Sequence, residues 1–178
     1  MILDERDTRH DHLINVARQM MTAARTAPKG KGIDIIETAT VTDKDIITLS
    51  EKTKLMYEEN GMKFFLRDAD NILSAEAIVL IGTRQQVQGL NCAHCGFQTC
   101  AEKPDAVPCA LNSVDLGIAI GSACATAADN RVDSRVMFSV GLAAQQLDWL
   151  NDCKCVMAIP ISASSKNPFF DRKPKEQK

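Results

Sequence analysis

Four cysteines lie within one short stretch of this sequence, GLNCAHCGFQTCAEKPDAVPC, which covers residues 89–109. They are Cys92, Cys95, Cys100 and Cys109, with the spacing C-x2-C-x4-C-x8-C. Thiolates at short, uneven spacings on a loop interrupted by Gly and Pro can converge on one soft metal centre. The pattern therefore predicts that these four residues bind either an iron–sulfur cluster or a zinc ion.

The spacing favours a [4Fe-4S] cluster over zinc. Zinc sites usually combine two tight cysteine pairs separated by a longer spacer, whereas only Cys92 and Cys95 form a tight pair here. Clusters accept ligands that stand alone, as Cys100 and Cys109 do. A zinc-stapled, non-enzymatic binding module and a cluster-based redox sensor remain the alternative functions.

The other three cysteines are predicted to pack in the core. Cys124 lies in an apolar, helical segment, where a free thiol behaves as a small hydrophobic group. Cys153 and Cys155 alternate at the start of a strand and so point to the same face. A metal or redox role for that pair stays open beside the packing interpretation.

Length and composition restrict the classes of function. The 178 residues suit a single domain, residues 1–178, with residues 89–109 as a loop within it. A formal net charge of -2 and one Trp and one Tyr do not favour nucleic-acid binding. The N-terminus is charged from Asp4 onward, and no apolar run approaches the roughly 20 residues that cross a bilayer. We therefore expect a cytoplasmic protein that does not bind membranes, with reduced or metal-bound cysteines.

Apolar periodicity predicts helices and strands on both sides of the cysteine loop. Helices are expected at residues 10–27, 62–75, 113–129 and 134–149. A further helix is expected to start at a capping box at residues 42–45 and to end at residue 61. Strands are expected at residues 33–41, 77–83 and 155–161. This order is typical of a layered α+β domain with a central mixed sheet flanked by helices. The cysteine loop is expected between strand 77–83 and helix 113–129.

The cysteine loop itself resembles a known pattern. GLNCAHCGFQTC is similar to the opening of iron–sulfur domains in anaerobic redox and corrinoid-linked proteins, which read Gly-Leu-x-Cys-x-x-Cys-Gly-x-x-x-Cys before a fourth cysteine. Cys92, Cys95, Gly96 and Cys100 match it residue for residue. The last gap is shorter here, so the resemblance supports Cys109 less than the other three.

Nearly the whole chain resembles a group of small prokaryotic proteins described as uncharacterised and containing a ferredoxin-like domain (DUF2148). The most specific parts are GLNCAHCGFQTC, residues 113–147 and the ending IPISASSKNPFFDR. The resemblance implies an iron–sulfur redox protein that acts in electron transfer or as an oxidoreductase. Its partner would be a redox protein or a small-molecule substrate.

A fainter likeness points to the flavin-dependent nitroreductases. AARTAPKGKGIDIIETATVTDKD has that family's layout of a helix, Ala27-Pro28, a loop and a strand. The tail at residues 172–174 is similar to the family's basic terminal motif, which meets the flavin phosphate. The family's N-terminal Arg-Arg-Ser-x-Arg motif is absent, and Arg6 and Arg9 only loosely echo it. The likeness implies a three-layer, nitroreductase-like fold, a homodimer, and an FMN site built across two subunits.

An FMN phosphate would need cationic or backbone N–H donors. Lys29, Lys31, Arg172 and Lys173 are the candidates that the likeness suggests. The alternative interpretation is a solvated loop and a charged tail without a ligand.

Overall fold

The fold is built around a single sheet with helices on both faces. The structure is a computed structural model, and it describes residues 1–150 and 152–170. The strands are β1 (Ile36–Val41), β2 (Ala77–Arg84), β3 (Asp133–Ser134) and β4 (Cys153–Ser162). The helices are α1 (Glu5–Thr26), α2 (Lys44–Asn60), α3 (Phe64–Ile72), α4 (Ala110–Asp129) and α5 (Phe138–Gln146), with a 3₁₀ turn at Gly30–Gly32. The expected three-layer α+β fold is confirmed.

The strands follow the order β1-β2-β4-β3, and every pairing among the described strands is antiparallel. The expected mixed sheet is therefore wrong in this respect. A single crossover helix returns the chain parallel to its first strand. Here the chain passes through two helices, α2 and α3, between β1 and β2, and the second helix reverses its direction once more.

Strand β2 lies at the centre and is buried on both faces. Its side chains alternate, as the period of two along a strand requires. Ala77, Val79 and Ile81 belong to the core beneath α1 and α4, whereas Ile78 and Leu80 belong to the core beneath α2, α3 and α5. Each large apolar side chain buried in this way stabilises the fold by about 1.5–3 kcal/mol. The predicted strand at 77–83 is confirmed.

Helices α1 and α4 pack side by side and run in opposite directions. The hydroxyl of Ser122 donates to the carbonyl of Ala23 at 3.0 Å. Beyond the end of α1, the backbone N–H of Gly30 donates to Oδ1 of Asp115 at 2.9 Å. The start of α4, where the cysteine loop ends, therefore lies beside the end of α1.

The opposite face of α4 is exposed and apolar. It carries Val114, Gly117, Ile118, Gly121 and Ala125. By length and composition alone α4 would pass as a membrane-spanning helix. Its other face packs on α1 and the sheet, so the helix is built as a core helix with one free face.

Two helix starts differ from the sequence prediction. Helix α1 begins at Glu5 because the Asp4 carboxylate accepts the N–H of Arg6 at 2.9 Å and so caps the helix. The capping box predicted at residues 42–45 is not formed. Asp43 is the N-cap of α2 with a φ of 53°, and among the described residues its side chain makes no capping hydrogen bond.

One strand and one helix also start later in the chain than the sequence predicted. Strand β1 starts at Ile36 because the preceding glycines form the 3₁₀ turn Gly30–Gly32. Helix α5 starts only at Phe138, since the segment before it pairs with β4 as strand β3. The polar pair Asp133–Ser134 resembled a helix start, but its long-range pairing made it a strand.

His10 connects α1 to the segments that precede α2 and β2. Its Nδ1 lies 3.0 Å from Oε2 of Glu76, and its Nε2 lies 3.5 Å from Oδ1 of Asp43. The hydrogen bond with Glu76, supported by the charges of Asp43 and Asp11, raises the pKa of His10 above its ordinary value.

We therefore expect a pH-dependent contribution to stability from His10. A raised pKa in the folded state stabilises the protein below about pH 6.5, the ordinary histidine value, and this contribution is lost as the pH rises through the folded value. Urea denaturation between pH 5.5 and 8.5 should show this loss in the wild type and a flatter profile in His10→Gln. His12→Gln, at an exposed position on the same helix, should keep the wild-type slope. Equal slopes for all three proteins would contradict the assignment.

Candidate functional site

The cysteine loop connects β2 to α4, and residues 85–109, all described by the structure, form no helix or strand. Cys92 is exposed, Cys95 and Cys100 are half-buried, and Cys109 is buried at the N-cap of α4. An N-terminal helix end favours a negative charge. Cys109 thus lies where the start of α4 would favour a bound anionic centre.

Left-handed backbone conformations recur along the first half of the loop. The φ angles are 69° at Gly89, 48° at Asn91, 59° at Ala93 and 89° at Gly96. Two of these residues carry a side chain, for which this region is uncommon. When right-handed and left-handed residues alternate, successive backbone N–H groups point to the same side and form a concave nest. Nests of this kind bind anions and iron–sulfur centres.

Asn91 and Cys100 form a reciprocal pair of hydrogen bonds across the loop. The N–H of Cys100 donates to Oδ1 of Asn91 at 2.8 Å, and the N–H of Asn91 donates to Sγ of Cys100 at 3.3 Å. The pair therefore fixes the position of this sulfur relative to Asn91.

The four thiols do not converge on one centre in this conformation. Within residues 1–150 and 152–170, no group of three or more His, Cys, Asp or Glu side chains lies close enough to hold a metal ion. The donor set nevertheless fits a thiolate-bound cluster chemically, and the N–H···S bond is a contact that such a cluster would use. The assignment of the four cysteines as metal ligands stays a prediction.

Polar contacts within the loop hold its second half in place. The ammonium of Lys103, which is buried, donates to the carbonyl of Pro104 at 2.9 Å and to that of Val107 at 2.6 Å. The Gln85 side chain donates to the same Val107 carbonyl at 3.3 Å. Lys103, which lies between Cys100 and Cys109 in sequence, thus adds a buried positive charge to the loop. The cysteine spacing alone did not indicate this feature.

Unpaired polar atoms concentrate where the loop meets α4. In the described part of the chain, four buried side-chain atoms lack a hydrogen-bond partner. They are both amide atoms of Gln88, Nδ2 of Asn112 and Oδ2 of Asp115. Buried polar groups are usually paired, and each unpaired one costs about 1–3 kcal/mol. The start of α4 and the adjoining loop therefore contain buried polar groups that the described part of the chain leaves without a hydrogen bond.

The lysines proposed for flavin binding have structural partners. The ammonium of Lys29 donates to the carbonyls of Ala24 at 3.1 Å and Ala27 at 2.7 Å, and thereby caps the end of α1. Lys31 donates to the carbonyl of Gln88 at 3.1 Å and so joins the 3₁₀ turn to the cysteine loop. The other two candidates, Arg172 and Lys173, lie outside the described residues.

A basic cleft opens at the other end of α1. It has a volume of about 550 Å³, and Arg6, Arg9, Arg131, Ser164 and Ser165 are among its lining residues. Asp133 also lines it, and Glu5 pairs with Arg9 through Nε at 2.6 Å. Three guanidinium groups and two hydroxyls suit a phosphate or carboxylate ligand.

The sequence carried only a partial signal for this cleft. Arg6 and Arg9 are three residues apart and so share a helix face, but Arg131 and the two serines come from distant parts of the chain. Helix α1 has 22 residues, so about 33 Å, at 1.5 Å per residue, lie between the cleft and the cysteine loop in one chain.

The remaining cysteines are poor candidates for chemistry. Burial, reinforced by the charge of Glu37, raises the pKa of Cys153 to about 11. Burial also raises the pKa values of Cys124 and Cys155. Thiols with raised pKa values are weak nucleophiles and poor metal ligands, so these contacts favour the packing interpretation.

Sequence comparisons identify similar proteins. The model of the family described as "Uncharacterized protein containing a ferredoxin domain (DUF2148)" matches residues 105–172. That segment includes Cys109 but begins after the other three loop cysteines. An uncharacterised protein from Archaeoglobus fulgidus is 39% identical over 186 residues, which covers 99% of this chain and 100% of that protein.

Comparisons of structure identify flavoproteins with the same fold. An oxidoreductase containing FMN superposes with a TM-score of 0.58 at 13% identity, covering 85% of this chain and 67% of the other. A BluB-like flavoprotein from Clostridium difficile gives 0.55 at 17% identity and covers 92% and 85%. An FMN-dependent nitroreductase from Clostridium difficile gives 0.54 at 17% identity and covers 85% and 76%. The nitroreductase-like fold is therefore confirmed.

Proposed function

Because the chain belongs to the DUF2148 family, whose members are described as uncharacterised proteins containing a ferredoxin domain, we propose that it is an iron–sulfur redox protein. The observation that carries the proposal is the loop of residues 89–109, in which four cysteines share a segment whose first half contains several left-handed residues and one sulfur already accepts an N–H bond. Cys92, Cys95, Cys100 and Cys109 would hold one [4Fe-4S] cluster. When bound, such a cluster supplies one-electron transfer.

The chain's own residues prepare the loop for this role. Cys109 ends the loop at the start of α4, where the helix dipole would stabilise a negatively charged cluster. Lys103, which lies between the third and fourth cysteines in sequence, contributes a buried positive charge to the loop. Such a charge would oppose the negative charge of four thiolates. Cys92 is exposed, so the loop can be reached by an electron-transfer partner.

Alanine substitutions can identify the ligands. After anaerobic reconstitution, Cys92→Ala, Cys95→Ala, Cys100→Ala and Cys109→Ala should each fall well below the about four iron atoms per chain expected of the wild type. Cys124→Ala, which changes a thiol on α4 outside the loop, should keep the wild-type iron and sulfide content. Stoichiometric zinc in the wild type, with no sulfide, would contradict the proposal and favour the zinc-stapled module.

We also propose that the protein binds FMN, with the phosphate in the arginine cleft and not at the lysines. Arg6 and Arg131 line this cleft beside Arg9, which is paired with Glu5. Lys29 and Lys31, in contrast, already bind backbone carbonyls. Arg172 and Lys173 follow Ser165 closely in sequence and remain part of the proposed phosphate site. When bound, FMN allows an enzyme to combine two-electron and one-electron steps.

The FMN affinity of substituted proteins distinguishes the arginine cleft from the lysines as the site of the phosphate. Arg6→Ala combined with Arg131→Ala should weaken FMN binding at least tenfold, since each charged hydrogen bond contributes about 1.5–3 kcal/mol. Arg18→Ala, at an exposed position on α1, and Lys31→Ala should leave the Kd within about twofold of the wild type. Quenching of flavin fluorescence measures all four Kd values. Weakening by Lys31→Ala alone would place the phosphate at the 3₁₀ turn instead.

We propose further that the protein is a homodimer that pairs through the exposed face of α4. Val114 and Ile118 are 51% and 40% exposed, and no described atom lies within 4 Å of a Cβ placed at Gly117 or Gly121. Small residues let two helices approach closely. If the two α4 helices run antiparallel across a two-fold axis, the cysteine loop of one protomer meets the arginine cleft of its partner.

A charge on that face should dissociate the dimer. Ile118→Asp would bury a carboxylate between two helices without a partner, which is strongly unfavourable. Sedimentation velocity should show a dimer for the wild type and a monomer for this variant. Ile47→Asp, at an exposed position on α2, should stay dimeric. A monomeric wild type would contradict the proposed interface.

A further inference from the structure

We propose that Asn91 is the residue that positions the Cys100 sulfur and raises the reduction potential of the centre it binds. The inference rests on the proposed cluster and assigns a role to a residue that is not a ligand. Its basis is the reciprocal pair of hydrogen bonds between Asn91 and Cys100, at 2.8 Å and 3.3 Å.

The pair closes the loop around the first two cysteines. Asn91 immediately precedes Cys92, and Cys100 lies nine positions after Asn91. Its amide oxygen holds the backbone of Cys100, while its own N–H points at the Cys100 sulfur. Asn91 thus sets the distance between the two ends of the segment that carries three of the four cysteines.

Asparagine suits this position for two independent reasons. The backbone at residue 91 is left-handed, with a φ of 48°, and asparagine tolerates that region better than most residues with a side chain. Its side chain also offers a carbonyl oxygen that accepts the N–H of Cys100. Glycine would satisfy the first requirement alone, and aspartate would satisfy both while adding a negative charge.

The N–H···S bond has a direct electrostatic consequence. A reduced iron–sulfur centre carries one more negative charge than the oxidised centre, and N–H donors to its sulfurs stabilise that charge. The bond from Asn91 therefore favours the reduced form. Releasing the side-chain contact frees the backbone of residue 91 to turn its N–H away, which lowers the reduction potential.

The test compares Asn91→Gly, Asn91→Asp and the control Gln98→Ala, an exposed residue of the same loop, in full-length protein reconstituted anaerobically with iron and sulfide. Asn91→Gly should give a lower midpoint potential than the wild type in redox titrations followed by electron paramagnetic resonance. It should also lose iron to a chelator severalfold faster.

Asn91→Asp separates the effect of the hydrogen bond at residue 91 on loop geometry from the effect of charge on the reduction potential. The retained acceptor oxygen should restore the wild-type rate of iron loss, while the added negative charge should keep the potential low. Gln98→Ala should match the wild type in both measurements. Circular dichroism of the cluster-free variants should equal that of the wild type, since residues 85–109 of the described chain form no helix or strand.

Two outcomes overturn the inference in different ways. If the wild type binds a cluster and Asn91→Gly keeps its potential and its rate of iron loss, Asn91 has no positioning role although the proposed function stands. If the wild type assembles no cluster, the proposed function fails and the role of Asn91 fails with it. A lower potential in Asn91→Gly with rescue of the rate of iron loss in Asn91→Asp supports the inference.

Discussion

Burial of strand β2 on both faces is the constraint on which the other elements depend. Its apolar side chains from Ala77 to Ile81 are fully buried, and they alternate between the two cores. Strands β1 and β4 satisfy its backbone on both sides. Because β2 is fixed in this way, the point at which the chain leaves the sheet, at Arg84, is fixed as well. The cysteine loop starts there and ends at α4, which packs on the same sheet.

Helices α1 and α4 then set the distance between the two candidate sites. Their antiparallel contact places the cysteine loop near one end of the pair and the arginine cleft near the other. Within one chain these sites are separated by roughly the length of α1. A symmetric dimer across the free face of α4 would bring the cysteine loop of one protomer to the arginine cleft of the other. The exposed apolar face of α4 would then serve as the dimer interface.

The sequence predicted those features that depend on local pattern. The apolar run AIVLIGT at residues 77–83 predicted a strand, and the apolar residues of 113–129 predicted a helix. The antiparallel sheet was missed because direction depends on how α2 and α3 pack, not on their own residues. Strand β3 was missed because two polar residues pair with β4 through long-range contacts.

The candidate site was predictable to a similar extent. The spacing of the cysteines identified the loop, but the contact of Asn91 with Cys100 spans nine residues and depends on left-handed turns that no spacing reveals. The lysines were selected for charge and proximity to glycines, yet their ammonium groups bind carbonyls. The arginine cleft combines residues from both ends of the chain and the end of α4, so only the three-dimensional fold could assemble it.

X-ray absorption at the iron and zinc edges of anaerobically purified protein tests the central claim most directly. The account predicts iron bound by sulfur, with a second scattering shell from neighbouring iron atoms, because four thiolates would hold several irons in one cluster. A zinc edge with four sulfur neighbours at about 2.3 Å and no metal–metal shell would contradict the account. The loop would then be a structural staple, and its hydrogen bonds would serve folding instead of electron transfer.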